Sequence, residues 1–351
     1  MPTLSNDKTL AIYHSSFINH HYLHRFTMKK VFRYLLFALG TVALLAIAAA
    51  TFITVKGVPV YDYQLPAEIA NLKAPRDSTH VARGAKIATL LCNECHKDFK
   101  TGKLTGHIMS DMPKEFGTIA SLNITQDSVH GIGAWTDGDL YYYLRRSIRK
   151  DGHYNPIMGG LNLMADDDVL SIIAWLRSDA PSLAPAAEEY PPNQFNFLVK
   201  LLCNTVFKPH PLPAGPIALP DTSNKVALGK YLADDLCGCY ACHSADFKTM
   251  DTAVPSRSEG YYGGGNPMLN YEGELVPSAN LTMDKETGLG NWTAAQFREA
   301  VRFGKNPKGG PLHYPMFPHT TLTDGEVDAI WAFLQTVPVL NNPVKRYSGG
   351  F

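Results

Sequence analysis

The chain has no net charge and few cysteines. Its 351 residues carry 32 Lys plus Arg against 32 Asp plus Glu, so the formal net charge is zero. No basic run occurs beyond the N-terminal region, which excludes the electrostatic footprint of nucleic-acid-binding proteins. Six cysteines are too few to build a disulfide scaffold, whereas 45% hydrophobic residues suffice for a buried core and exclude wholesale disorder.

Long apolar runs are also scarce, and residues 34–55 form the one uncharged stretch long enough to cross a lipid bilayer. Lys29, Lys30 and Arg33 precede it, so the positive-inside rule places residues 1–33 in the cytoplasm and everything after residue 56 outside. We expect an uncleaved anchor in the cytoplasmic membrane with the functional part on the periplasmic side; a cleaved signal peptide is the alternative. Met28 opens this pattern and is a candidate start, which would leave residues 1–27 untranslated.

The exported part is an internal repeat. The motif CNECH at 92–96 recurs as CYACH at 239–243. Downstream, SLNITQDSVHGIGAWTDGDLYYYLRR aligns with SANLTMDKETGLGNWTAAQFREAVRF at an offset of 157, and MADDDVLSIIAWLRS with LTDGEVDAIWAFLQT at 158. The repeat predicts two modules, residues 78–180 and 223–340, joined by a proline-rich linker over 181–222.

Helix signals dominate both modules, and strand signals are scarce. Capping boxes predict helix starts at Thr136, Thr293 and Thr323. We therefore expect an all-α fold: two tandem modules behind the N-terminal transmembrane helix. Each module has a helix ending in the cysteine motif, an irregular loop, a middle helix and a terminal helix from about residue 166 or 323. The linker's apolar stretch FNFLVKLLCNTVF is expected to form a short helix packing across the modules.

The CxxCH motifs carry the chemistry. In an exported protein this spacing is the attachment signal for c-type haem, in which the two thiols add to the haem vinyl groups and the histidine binds the iron. A structural zinc site would instead need four ligands in one cluster, and a thioredoxin-like CxxC would need a βαβ context. The sequence predicts two covalently bound haem c groups, held by Cys92, Cys95 and His96 and by Cys239, Cys242 and His243.

The sixth iron ligand is predicted from the repeat. Met158 and Met316 each lie in a proline-containing loop eight residues before the first acidic residue of the terminal helix, which favours a methionine ligand in both halves. His153 and His313 also recur just before these methionines, so bis-histidine iron is an alternative.

No acid–base residue repeats beside either motif, which favours an electron carrier over an enzyme, with no catalytic residue. The rival class is a dihaem peroxidase that leaves one iron open.

Two cysteines lie outside the motifs. Cys237 belongs to a two-residue insertion just before the second motif, and Cys203 lies in the linker. Because free thiols are unfavourable in an oxidising compartment, a disulfide between Cys203 and Cys237 is a hypothesis.

The stretch NLTMDKETGLGNWTAAQFREAVR at 280–302, with HYPM and LTDGEVDAIWAFLQTV after it, resembles the class I cytochrome c family. It is similar in particular to the multi-haem cytochrome c subunits of membrane-bound alcohol and gluconate dehydrogenases, and the likeness covers most of residues 78–340. It implies covalent haem c, His/Met iron and single-electron transfer from a dehydrogenase or quinol-oxidising complex to a downstream acceptor. The expected partners are redox proteins and the membrane, not nucleic acid. Those subunits carry three haem motifs and commonly a C-terminal anchor, whereas this sequence has two motifs and an N-terminal apolar stretch.

Overall fold

The computed structural model describes the backbone of residues 9–270 and 272–345, and side chains within these ranges from residue 28 onwards. The chain divides into two compact units, Met1–Gly57 and Val58–Phe351. The prediction that residues 1–27 are untranslated concerns a segment whose first eight residues lie outside the described backbone.

The first unit consists of helix α1, Thr9–Lys56. Its segment Met28–Lys56 is long and apolar enough to cross a membrane, and none of its most apolar window is buried inside the protein. Signal sequences near an N-terminus have the same composition, so this helix agrees with both sequence-based alternatives.

Helices supply most of the regular structure of the second unit, which confirms the helix-rich class. Their bounds are α2 Ala67–Ala70, α3 Ser78–Leu91, α4 Asn93–His96, α5 Asp137–Arg146, α6 Asp166–Leu176, α7 Phe197–Thr205, α8 Lys225–Lys230, α9 Cys239–His243, α10 Ala294–Phe303 and α11 Asp324–Leu334. A π-helical segment, Tyr231–Leu236, continues α8. Short antiparallel pairs join β1 Gly117–Thr118 to β2 Gln194–Phe195, and β3 Pro267–Leu269 to β4 Leu275–Pro277.

The capping boxes form as predicted. Thr136, Thr293 and Thr323 are the N-caps of α5, α10 and α11, and each hydroxyl accepts a hydrogen bond from the backbone N–H three residues on. The side chain at that third position accepts a bond from the backbone N–H of the cap, so two otherwise unpaired donors are satisfied at each helix start. The middle and terminal helices therefore begin where the sequence placed them.

In each half, the helix before the cysteine motif packs closely on the terminal helix. In the first half α3 packs on α6, and in the second α8 packs on α11. A Cβ atom at Gly84 would lie 1.8 Å from the carbonyl oxygen of Ser171, and one at Gly229 would lie 1.8 Å from that of Ala329. Only glycine allows these backbones to approach so closely. The buried core runs through both halves, with Ile87, Ile172, Leu232 and Val327 in one cluster.

The linker follows the surface of the first half. Its apolar stretch forms α7 as predicted, with Val199 and Cys203 buried. Its main contacts are with the turn Lys114–Phe116 and with β2, not across both halves. Just after α6, the carbonyl oxygen of Leu183 accepts a bond from the Gln126 N–H at 2.9 Å.

The Cys203–Cys237 disulfide hypothesis is wrong for this structure, because all six cysteines are free thiols. Cys203 is buried on α7, within electrostatic range of Tyr61 and Tyr154 in the first half. Cys237 follows the π-helical segment of the second half and hydrogen-bonds to Cys239. The packing of α7 on the first half places the two thiols in different surroundings.

Candidate functional site

The first motif forms one tight turn. Cys92 is the C-cap of α3 and also the N-cap of α4, and the N–H of His96 donates to the Cys92 carbonyl at 2.9 Å. Cys92 and Cys95 are half-buried and His96 is 8% exposed. Two thiols and an imidazole are thereby held together on a single helical turn.

The second motif reaches the same arrangement by another route. Cys237 is the C-cap of the π-helical segment, and Gly238 then adopts a left-handed conformation, with φ of 64°, before α9, which is Cys239–His243. A side chain would be strained at that φ, so glycine is the residue suited to this corner. Cys239 and Cys242 are half-buried like their counterparts.

Both histidines are oriented by a backbone carbonyl. His96 Nδ1 lies 2.7 Å from the carbonyl oxygen of Leu122, and His243 Nδ1 lies 2.8 Å from that of Ala279. A carbonyl only accepts, so Nδ1 carries the proton and Nε2 keeps the lone pair that binds a metal. Leu122 and Ala279 are separated by the repeat offset of 157. Equivalent backbone carbonyls therefore orient the histidine in both halves.

The loops that supply these carbonyls are braced by asparagine. Asn123 and Asn280 directly follow Leu122 and Ala279, and the side-chain oxygen of each accepts from the N–H two residues on, at 2.9 Å. Each amide also donates at 2.7 Å to a carbonyl beyond the terminal helix of its own half, that of Ala186 or Leu340. The asparagines therefore stabilise the turns that hold these carbonyls in place.

Burial keeps the donor groups neutral. It lowers the pKa of both His96 and His243, and it raises the pKa of Cys92 to about 12 and that of Cys242 to about 11. At neutral pH each motif presents two thiols and a neutral imidazole, the form of histidine that ligates metals. This donor set fits covalent haem attachment.

The alternative chemistries find no support in the part of the chain that the structure describes. There, no three His, Cys, Asp or Glu side chains are grouped to hold a metal ion, so a four-ligand zinc cluster is not formed. The sheets found there are antiparallel pairs rather than the βαβ unit of a thioredoxin-like site.

The two methionines lie in the loops that lead to the terminal helices. The hydroxyl of Ser147, which directly follows α5, donates to the backbone carbonyl of Met158. The N–H of Met316 donates to the carbonyl of His313 at 3.0 Å, closing a turn. Both methionines are half-buried, and Met158 packs against the core. Their role as sixth ligands stays a prediction.

No protein-family model matches the chain. The cytochrome c subunit of alcohol dehydrogenase (quinone) from Gluconobacter oxydans is 27% identical over 284 residues, which are 75% of this chain and 56% of that protein. The fructose dehydrogenase cytochrome subunit of Gluconobacter japonicus is 28% identical, covering 78% and 55%. A diheme cytochrome c-type of Cereibacter sphaeroides is 28% identical over 236 residues, 64% and 74% of the two chains.

The chain is a homologue of dehydrogenase cytochrome c subunits. It spans a little over half the length of the first two of these relatives. The resemblance seen in the sequence motifs is thereby confirmed over most of the chain.

The histidines near the two methionine loops of this cytochrome homologue differ in their surroundings. His153 has a side chain 60% exposed, with Nδ1 3.2 Å from Asp151 Oδ1, which disfavours the bis-histidine alternative at the first site. His319, three residues after Met316, is half-buried, with Nδ1 2.9 Å from the Phe317 carbonyl oxygen, and it lies near enough to His243 to lower the pKa of that histidine further after burial. Sequence reasoning missed His319 because Leu161 occupies the equivalent position in the first half.

The repeated arginines join helices. Arg145 is fully buried and donates to the carbonyl of Met164 at 2.7 Å and to the carboxylate of Asp166. Arg302 donates to Asp324, which is the equivalent of Asp166. In both halves the arginine ties the middle helix to the start of the terminal helix, and this accounts for its repetition without a cofactor contact.

Proposed function

We propose that this chain is a membrane-anchored dihaem c-type cytochrome. It carries single electrons between a membrane dehydrogenase or quinol-oxidising complex and a downstream acceptor, on the periplasmic side of the cytoplasmic membrane. The observation that carries the proposal is the twofold recurrence of one donor set, two thiols beside a neutral imidazole whose Nδ1 is fixed by a carbonyl. Homology to dehydrogenase cytochrome c subunits supports the same conclusion.

The proposed modules are residues 78–180 and 223–340, with 181–222 as the linker between them. The recurring contacts of α3 with α6 and of α8 with α11 support this division. So do the equivalent close approaches at Gly84 and Gly229.

Each residue of a motif has a separate task. The thiols of Cys92 and Cys95, and those of Cys239 and Cys242, would form thioether bonds to the vinyl groups. Bound haem c supplies an iron that changes oxidation state by one electron. His96 and His243 would hold that iron through Nε2, and the Nδ1 bond to a carbonyl fixes the ring and raises its basicity.

The sixth position distinguishes a carrier from an enzyme. We assign it to Met158 and Met316, which lie at equivalent positions in the two loops. Thioether ligation raises the reduction potential and leaves no open site for a substrate. A dihaem peroxidase would need one of these methionines to be off the iron.

The N-terminal helix supports the membrane anchor, and the relatives support the partner. Met28–Lys56 has the length and composition of a membrane span, and the basic residues around its start favour export of the chain after residue 56. The relatives are subunits of alcohol and fructose dehydrogenases, so a dehydrogenase is the donor that we propose.

The test uses the full chain, expressed with c-type haem maturation. We expect two covalent haem groups per chain and, after reduction with dithionite, no ready binding of carbon monoxide. Absence of covalent haem would overturn the proposal. Stoichiometric binding of carbon monoxide at one haem would replace the carrier with the peroxidase-like alternative, because that half would then have an open iron.

A further inference from the structure

The loop that carries Met316 is attached to the first half. The hydroxyl of Tyr314, two residues before Met316, donates to Asp111 Oδ2 at 2.6 Å. These residues are 203 positions apart in sequence, so the bond crosses from one half of the repeat to the other. A short bond from a hydroxyl to a carboxylate belongs to the stronger class of hydrogen bonds.

Asp111 belongs to the surroundings of the first motif. After burial, its charge is the largest influence that raises the pKa of Cys95, so the carboxylate lies within electrostatic range of that thiol. Its loop is pinned by the bridge between Ile108 and Ala120, close to the Leu122 carbonyl that orients His96. Tyr314 is therefore bonded to a loop that lies beside the first motif.

On the C-terminal side of Met316, residues of the two halves lie around one pocket. A pocket of about 190 Å³ is lined by Asn93 and Glu94 of the first motif, by Lys97 directly after it, and by Phe317 and Pro318 of the second half. The residues before and after Met316 thus both face the first half.

The loop of Met158 is held differently. Its backbone carbonyl accepts a bond from the hydroxyl of Ser147, a residue of the same half. The link from this loop to the other half lies farther from its methionine, because Asn162, four residues after Met158, donates to the Thr252 carbonyl at 3.1 Å. The loop of Met316 also has a bond within its own half, from the His319 N–H to the Val301 carbonyl at 2.8 Å, but Tyr314 joins it to the first half only two residues from the methionine.

We propose that Asp111 and Tyr314 are positioning residues through which the first half holds Met316 at the sixth position of the second site. The inference rests on the proposed function and deepens it, since it makes the ligation of the second haem depend on contact between the halves. The second site is the one whose methionine is released when that contact opens.

The test compares Tyr314→Phe, Asp111→Asn and Asp111→Ala with the parent in the full, haem-loaded chain. Tyr154→Phe is the matched control, because it makes the same change in the HY pair that precedes Met158, where Tyr154 packs edge-on against Tyr61 at 6.0 Å. Haem content per chain is measured first. Binding of carbon monoxide to the reduced protein and the reduction potential of each haem are measured next.

We expect Tyr314→Phe and Asp111→Ala to keep two haem groups and to bind carbon monoxide at one of them at least tenfold more tightly than the parent. One potential should fall while the other stays, because thioether ligation raises it. Asp111→Asn keeps an acceptor oxygen for the Tyr314 hydroxyl, so its carbon monoxide affinity should lie between those of the parent and Asp111→Ala. Parent-like binding and potentials in Tyr314→Phe with both haem groups present would overturn the proposal, as would an equal change in Tyr154→Phe. Absence of haem from the parent would instead overturn the proposed function.

Discussion

Lys86 and Glu326 form an ion pair between the two halves, with Nζ 2.6 Å from Oε1 across 240 positions of sequence. Their repeat equivalents are Tyr231 and Asp168, and these are also bonded, at 2.5 Å between Oη and Oδ2. A position on the first helix of each half thus meets the same position on the terminal helix of the other half. Such reciprocity is the mark of an isologous interface, in which one patch pairs with its own copy.

Asp168 should be the more costly carboxylate to remove. It is fully buried and accepts from Arg83 Nε at 2.7 Å as well as from Tyr231, so Asp168→Ala leaves a half-buried guanidinium without its main partner. We expect a loss of about 3–5 kcal/mol in the free energy of unfolding. Glu326→Ala, at a side chain that is 15% exposed, should lose about 1–2 kcal/mol. Urea unfolding in detergent measures both; equal losses would contradict the difference in burial.

Gly84→Ala should break the packing of α3 on α6. The new Cβ would lie 1.8 Å from the Ser171 carbonyl oxygen, which is backbone and cannot rotate away. We expect a loss of about 3 kcal/mol, measured as above. Gly325→Ala is the control, since nothing lies within 4 Å of its Cβ and it is also helical. It should gain about 0.5–1 kcal/mol from helix propensity, and similar losses in the two variants would refute the steric argument.

Much of this architecture follows from local patterns. The capping boxes at Thr136, Thr293 and Thr323 need only four consecutive residues, so sequence alone placed those helix starts. The internal repeat strengthened these predictions, because a motif or helix start found in one half could be checked at the equivalent position of the other half.

The contacts between halves could not be predicted in this way. The partners Asp111 and Tyr314 are 203 residues apart, and neither has a signal in its own neighbourhood. Cys203 was paired with Cys237 by counting cysteines, although the packing of α7 on the first half decides its surroundings. His319 was overlooked because it occurs in one half alone, and the repeat reveals only features that both halves share.

Asp235→Asn should stabilise the protein above neutral pH. Burial raises the pKa of Asp235 to about 6, with Asp234 adding to the rise, against about 3.9 in an unfolded chain. A group with a raised folded pKa contributes stability below its unfolded pKa and loses it as pH rises through the folded value. The melting temperature of the variant should therefore exceed that of the parent at about pH 7–8 and match it near about pH 4.

Asp221→Asn is the control for that experiment and should have the opposite sign. The Ser223 N–H and hydroxyl lower the pKa of the exposed Asp221, so its carboxylate stabilises the folded chain at neutral pH. A gain at neutral pH in both variants would show that the effect is general loss of negative charge rather than burial of Asp235.

Haem attachment in the second half should require Cys239 and Cys242 but not the neighbouring Cys237. Cys239 and Cys242 lie on α9 with His243, whereas Cys237 lies before the left-handed corner at Gly238, although it hydrogen-bonds to Cys239. The double change Cys239→Ala and Cys242→Ala should reduce covalent haem from two groups per chain to one, and Cys237→Ala should keep both. Intact-mass spectrometry counts the groups, and a peptide map locates them. Loss of a haem group in Cys237→Ala would contradict this prediction. It would mean that Cys237, which lies only two residues before Cys239, forms a thioether bond in place of one motif thiol, and that the left-handed corner at Gly238 does not keep Cys237 away from the haem.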